Sequence, residues 1–126
     1  LCTPETIDTY NIYRATRRAS LNAAEKLCKD VPKPFVLFDG PKPLDSETLP
    51  QEAIVKGDQH VFAIAAASVI AKVHRDALMT KYDTQYPGYG FAQHKGYGTA
   101  QHIAQLNARG PTPIHRKSFA PVAELL

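Results

Sequence analysis

Two aspartates stand where acids are costly to keep and useful to a metal ion. Asp39 closes the apolar run Phe35 to Phe38 and precedes Gly40, while Asp76 ends the stretch AIAAASVIAKVHRD at residues 63–76. Projected on a helix, Phe62, Ala66, Val69, Val73 and Asp76 fall on one stripe at steps of three and four. That spacing predicts a core-facing stripe that carries Asp76 inward. A carboxylate so placed must be paired, protonated or metal-bound. Lys72, one turn back, is a candidate partner, although Lys before Asp is the weaker order on a helix. Asp39 has a local alternative, an Asx-turn at Asp-Gly. If the two acids converge, they offer hard oxygen ligands suited to Mg²⁺ or Mn²⁺. Two-metal phosphoryl transfer normally uses more acids, and the others in this chain fall mostly in loops or on solvent-facing helix positions.

Other chemistry is less well supported. The histidines at 60, 74, 94, 102 and 115 have no zinc-like spacing. Ser68 lies within the apolar helix and reads as a satisfied hydroxyl. IVKGD at 54–58 has one glycine and cannot cradle phosphates as a P-loop does. Lys56, Lys72, Arg75 and Lys95 can neutralise backbone phosphates or simply face solvent. Tyr86, Tyr89 and Tyr97, in a glycine-rich stretch with His94 and Lys95, can stack on sugars or bases or pack as buried loop aromatics.

The elements that must position these residues follow from local signals. Residues 4–29 read as a helix, with Thr3 as N-cap, Pro4 in the first turn and VPKP at 31–34 as its stop. Arg14, Arg17 and Arg18 read as a solvated face. Phe35 to Phe38 fits a short strand covered on both sides, placing Asp39 at its C-terminal end, where ligands gather in α/β sheets. Ala53 to Val55 is a second short strand, and Asp58 caps a helix over about 59–82. VFAIAAASVIA at 61–71 is apolar nearly all round, as a central buried helix would be. YPGYGFAQHKGYG at 86–98 is an ordered loop built on tight turns. Thr99 caps a helix through Asn107 that Gly110-Pro111 ends, and Pro121 to Leu126 can begin a last helix.

The 126 residues allow one domain with a real core. Hydrophobic content of 44% and charged content of 21% are those of an ordinary globular protein. Net charge is +3, and the surplus lies beyond residue 83, where Lys95, Arg109, Arg116 and Lys117 face only Glu124. That leans towards a polyanion partner. Cys2 and Cys28 form no metal or redox spacing, so a reducing, cytoplasmic setting is expected, and no apolar run is long enough to span a membrane.

VLFDG, AIVKGD, AIAAASVIAKVHRD, YPGYGFAQHKGYGT with His102, and GPTPIHRKSF followed by PV occur in this order. Together they resemble the C-terminal two-thirds of bacterial type 2 ribonuclease H, the ribonuclease HII family. The resemblance spans residues 36–122, and the helix TPETIDTYNIYRAT is also similar. It implies an α/β, ribonuclease H-like mixed sheet flanked by helices, with a small helical C-terminal part, residues 1–126 being a partial catalytic domain. It also implies metal-dependent endonucleolytic cleavage, with Mn²⁺ or Mg²⁺, of RNA in RNA–DNA hybrids and at single ribonucleotides in duplex DNA, leaving 3′-hydroxyl and 5′-phosphate ends.

Of the family's four carboxylates, Asp39 matches the third and Asp76 the fourth. Tyr97 matches the tyrosine that packs on the deoxyribose at the RNA–DNA junction, and Lys56, His94 and Lys95 would lie near the substrate. The family's first-strand DEAGRG segment, which supplies two acids and the sensor of the ribose 2′-hydroxyl, has no counterpart here. Nor does its DSKKL-type segment. Pro41-Lys42 replaces the usual Asn-Arg after Asp-Gly, which affects the geometry expected of the Asp39 loop. The sequence thus reads as N-terminally truncated. A second chain or a missing N-terminal segment would supply the other carboxylates, and the isolated chain is expected to be nearly inactive.

Overall fold

The first helix begins as its sequence demands. In the computed structural model, which describes residues 1–126, α1 spans Pro4–Cys28 and Thr3 Oγ1 accepts the Thr6 amide at 3.3 Å. The helix is not continuous. Asn11 has φ 65° and ψ 164°, and its Oδ1 accepts the Arg14 amide at 3.1 Å. Asparagine tolerates positive φ and serves well as an N-cap, so Asn11 ends one helical segment and caps the next. The chain forms two units, and the break lies just inside the first. One comprises Leu1–Cys2 and Thr9–Val69, the other Thr3–Asp8 and Ile70–Leu126.

In the first unit, β1 (Val36–Asp39) and β2 (Gln51–Ile54) pair in parallel, with Val36 opposite Gln51 and Asp39 opposite Ile54. The expected mixed sheet is therefore a two-stranded parallel one, and β1 is only half-buried instead of covered on both faces. Parallel strands need a crossover, which the irregular residues 40–50 provide. Gln51 staples that crossover, accepting the Leu44 amide at 2.7 Å and donating to the carbonyls of Leu44 and Ser46, each at 3.0 Å. Arg17 closes it from α1. Its guanidinium donates to the carbonyls of Lys42 and Pro43 and pairs with Asp45 at 2.8 Å. Arg17 is thus buried, where the sequence suggested a solvated side chain, because three acceptors converge on one guanidinium.

The helix expected over 59–82 is divided. α2 spans Gly57–His60 with Lys56 before it in the left-handed region, Val61 is extended, and α3 runs Phe62–Gln85. Asp58 lies inside the first turn of α2 and caps neither helix. Nor is α3 a buried central helix. Ile64 is its one buried residue, and Phe62, at 88% exposure, leads an outward row with Val69, Ile70 and Val73. The stripe that was expected to carry Asp76 into the core faces outward, since no layer of this chain covers it.

In the second unit the glycine-rich loop carries one short turn, α4 (Phe91–His94), between left-handed residues at Gly90 and Lys95. α5 (Ala100–Arg109) begins where Thr99 accepts the His102 amide and ends with the Gly110 amide on Leu106, as the sequence predicts. α6 (Ala120–Ala123) is a single turn. The core gathers Tyr89, Phe91, Leu106 and Val122 with His94 and His102. Asp8 ties the beginning of α1 to this unit, accepting the amides of Lys117 at 2.8 Å and Ser118 at 3.0 Å.

Candidate nucleic-acid interface and carboxylate positions

Asp39 is the last residue of β1 and is exposed. Its Oδ1 accepts the Gly57 amide at 2.9 Å, and the Gly40 amide continues the ladder to the Ile54 carbonyl at 3.1 Å. The bond joins strand end to helix start, which is not the Asx-turn that the local sequence also allowed. Gly57 lets the Ile64 side chain pack directly on the backbone. A Cβ on it would stand 2.6 Å from Ile64 Cδ1 and 3.4 Å from Ile54 Cβ. Lys56 precedes it, exposed, at φ 54°.

Asp76 sits in a different setting. Lys72 Nζ donates to its Oδ1 at 2.6 Å, and Arg75 Nη1 lies 3.8 Å from the same oxygen. The Lys72 partner that sequence allowed is the one present. Its hydrogen bond is the main reason the Asp76 carboxyl is held below the usual carboxylate range, with Lys95 and Arg75 adding to the field. The side chain keeps 30% of its surface exposed, so solvent screens the pair and it adds little to the stability of the fold.

Tyr97 completes this group. Its ring is 57% exposed, with Lys72 Nζ 5.5 Å and Arg75 Cζ 5.3 Å from its centroid, within cation–π range. Arg75 Nη1 is buried without a hydrogen-bond partner. Lys95 Nζ donates to Thr80 Oγ1 at 3.0 Å. Gly96, at φ 77°, turns the loop so closely that a Cβ would meet Met79 Cε at 3.0 Å. Three cations, one carboxylate and an exposed ring thus share one surface of the second unit.

His94 is not on that surface. It is buried, its Nε2 2.8 Å from the Tyr89 carbonyl and its Nδ1 accepting the Gly96 amide at 3.2 Å. Both ring nitrogens are occupied, so the expected substrate contact is replaced by a structural role. The ring stacks on His102 with centroids 4.2 Å apart. His102 Nδ1 lies 2.9 Å from the Tyr97 carbonyl and its Nε2 3.1 Å from Nε2 of His115, whose Nδ1 accepts the Thr112 amide at 3.0 Å.

One assignment satisfies every atom. His94 carries its proton on Nε2, His102 on Nδ1 and His115 on Nε2, all three rings neutral. Burial pushes His102 and His115 below the ordinary imidazole range, and neighbouring imidazoles push the same way. The network fixes the loop that carries Tyr97, for the Tyr97 carbonyl is held by His102 and its amide by the His94 carbonyl at 2.9 Å. These histidines lack metal-ligand spacing in the sequence and are placed instead to bond and stack with one another.

Asp39 and Asp76 are donors of the hard kind that Mg²⁺ and Mn²⁺ take. No group of three or more His, Cys, Asp or Glu side chains able to hold a metal ion forms, and an ammonium already occupies Asp76 Oδ1. The residues present do not by themselves complete a metal centre.

An α/β chain that gathers cations and an exposed ring around a carboxylate is suited to a polyanion such as a nucleic-acid strand. The comparisons identify the family. The model described as Ribonuclease HII matches residues 4–122. Ribonuclease HII of Chlorobium phaeobacteroides is 51% identical over 116 residues, covering 92% of this chain and 56% of its own length. That of Geobacter metallireducens is 50% identical over 118 residues, covering 94% and 54%. That of Chlorobium chlorochromatii is 50% identical over 113 residues, covering 90% and 54%. The chain belongs to the ribonuclease HII family, and it spans about half the length of these curated relatives.

Proposed function

We propose that this chain is the part of a ribonuclease HII that holds two of its four carboxylates and a share of its substrate surface. The substrate is RNA in an RNA–DNA hybrid, or a single ribonucleotide in duplex DNA, cut endonucleolytically to leave a 3′-hydroxyl and a 5′-phosphate. The observation that supports this best is the surface around Asp76. There the partly exposed Arg75 guanidinium, Lys72 and Lys95 suit phosphate oxygens, and the exposed Tyr97 ring suits the flat face of a sugar. On the first unit Asp39, steered by the Gly57 amide, and exposed Lys56 are the corresponding acid and phosphate contact.

The cofactor in this reading is Mn²⁺ or Mg²⁺. Asp39 and Asp76 are two of its ligands, and the others come from a further segment or a second chain. The setting is cytoplasmic, and no helix is long and apolar enough to cross a membrane.

The test is cleavage of a duplex bearing one ribonucleotide. The chain alone should be nearly inactive. Addition of a polypeptide carrying the family's acidic first strand should restore Mn²⁺-dependent cleavage, and Asp39→Asn or Asp76→Asn should abolish it. Robust turnover by the chain alone, lost with Asp39→Asn, would overturn the assignment of a half-site. The lack of a three-ligand group favours a second reading, a nucleic-acid-binding domain without chemistry. Salt-sensitive hybrid binding that never yields cleavage would point there.

A further inference from the structure

The first unit has a groove of about 600 Å³ that the cleavage reading does not use. It is lined by Tyr10, Tyr13, Arg14, Arg18 and Lys42, with the Arg17–Asp45 pair at its wall. Arg17 is bound by two carbonyls and Asp45, and it neutralises the groove's one carboxylate. Arg14, Arg18 and Lys42, all exposed, are therefore left without a counter-charge there.

The aromatic component is equally specific. Arg18 Cζ stands 5.2 Å from the centroid of the Tyr10 ring, and Arg17 Cζ stands 5.7 Å from that of Tyr13, which still keeps 55% of its surface exposed. Arg17 also lies over the Phe38 ring at 5.9 Å. Successive residues of a strand point to opposite faces of the sheet, so this groove adjoins the Phe38 face of β1 and Asp39 belongs to the other.

We infer that the groove binds a single-stranded polynucleotide, with Arg14, Arg18 and Lys42 on its phosphates and bases stacked on Tyr13. The chemistry selects this ligand over its neighbours. An acidic peptide would use the cations and leave the exposed tyrosine idle. A duplex presents phosphates but keeps its bases stacked inside, out of reach of a ring. A single strand offers phosphates and free base faces at once. Leu21 is the one aliphatic residue of the lining, too little for a lipid or an apolar ligand.

The test needs no metal and no cleavage, so its outcome is independent of the ribonuclease assignment. Binding of fluorescein-labelled oligothymidylate of about fifteen residues to the whole chain is followed by anisotropy, with metal chelated and salt varied. Arg14→Glu with Arg18→Glu should weaken binding by at least about tenfold and flatten the logarithmic salt slope by roughly 1.4, at about 0.7 per lost phosphate contact. Tyr13→Ala should weaken it about fivefold or more, the low end of stacking losses. Lys81→Ala, which removes an exposed cation of the other unit outside both surfaces, should leave it within about twofold.

The variants lie on exposed positions, and circular dichroism checks their fold. Unchanged affinity in the double arginine variant overturns the proposal. So does displacement of the oligonucleotide by poly-glutamate as readily as by unlabelled oligothymidylate, or duplex affinity equal to single-strand affinity that the same variants abolish.

Discussion

Replacing His115 with alanine tests the neutral histidine network most directly. The change removes the donor to His102 Nε2 and the acceptor of the Thr112 amide and hydroxyl. It also removes a ring 5.8 Å from Tyr89 and 5.6 Å from Phe91. A buried polar atom left unpaired costs about 1–3 kcal/mol, and an aromatic pair contributes about 0.5–1.5 kcal/mol beyond area. Because His115 is only half-buried and water can reach some of the vacated positions, we expect a loss of about 3 kcal/mol. Against a typical domain stability of about 5–15 kcal/mol, that is a large fraction. With a urea slope of about 1–3 kcal/mol/M for small domains, the midpoint should fall by about 1–3 M.

The pH dependence carries its own sign. His102 and His115 are held below the ordinary imidazole value of 6.5 in the fold, so the unfolded chain takes up protons first. Their contribution is therefore complete above that value and is lost as pH falls through the lowered folded values. Urea unfolding followed by far-ultraviolet circular dichroism, at about pH 7.5 and about pH 5.5, should show the parent chain weakening on acidification. The His115→Ala chain should weaken less. A parent midpoint equal at the two pH values, or a variant midpoint equal to the parent's near pH 7.5, would refute the tautomer assignment.

Gly57→Ala should destabilise by about 0.5–1.5 kcal/mol in the same assay, the cost of turning a side chain off its rotamer, because the Cδ1 methyl of Ile64 must swing away from a Cβ 2.6 Å from it. Thr99→Ala should cost about 1 kcal/mol, the usual value of an N-cap, and fray the first turn of α5 in amide exchange. Asp76→Asn should leave the urea midpoint nearly unchanged, since it weakens only a solvent-screened pair, while abolishing cleavage by the reconstituted enzyme. Asp8→Ala should leave the carbonyl-bonded core intact but expose the peptide bonds around Lys117 and Ser118 to limited proteolysis, because both amides lose their acceptor.

Where a signal is local, the sequence carries it. Thr99 and Gly110 bound α5, Asp39 ends β1 after a short apolar run, and the loop glycines take the left-handed turns expected of them. Asn11 is local too, yet an asparagine within a helical pattern gives no notice that it will take positive φ. What depends on a distant partner was not legible. Arg17 reads as one of three surface arginines until the carbonyls of Lys42 and Pro43 are brought to it. His94, His102 and His115 form a network only because turns bring residues of three segments together. The stripe on α3 is apolar, as its periodicity indicates, yet Phe62, Val69 and Val73 are exposed. Periodicity tells which face wants cover, and nothing about whether the chain supplies it.

The clasp between Asp8 and residues 117–118 has a kinetic consequence. It joins positions 109 and 110 residues apart, so the second unit draws its parts from both extremes of the described sequence. Long-range closures are slow because chain entropy is lost before the contact repays it. On a ribosome, the segment around Asp8 emerges first and must wait, unmatched, until Ser118 follows. The first unit, whose strands and crossover lie within residues 36–54, has no such delay. Within the described residues, closure of the second unit therefore follows synthesis of residues 117–118, while the first unit can close before it.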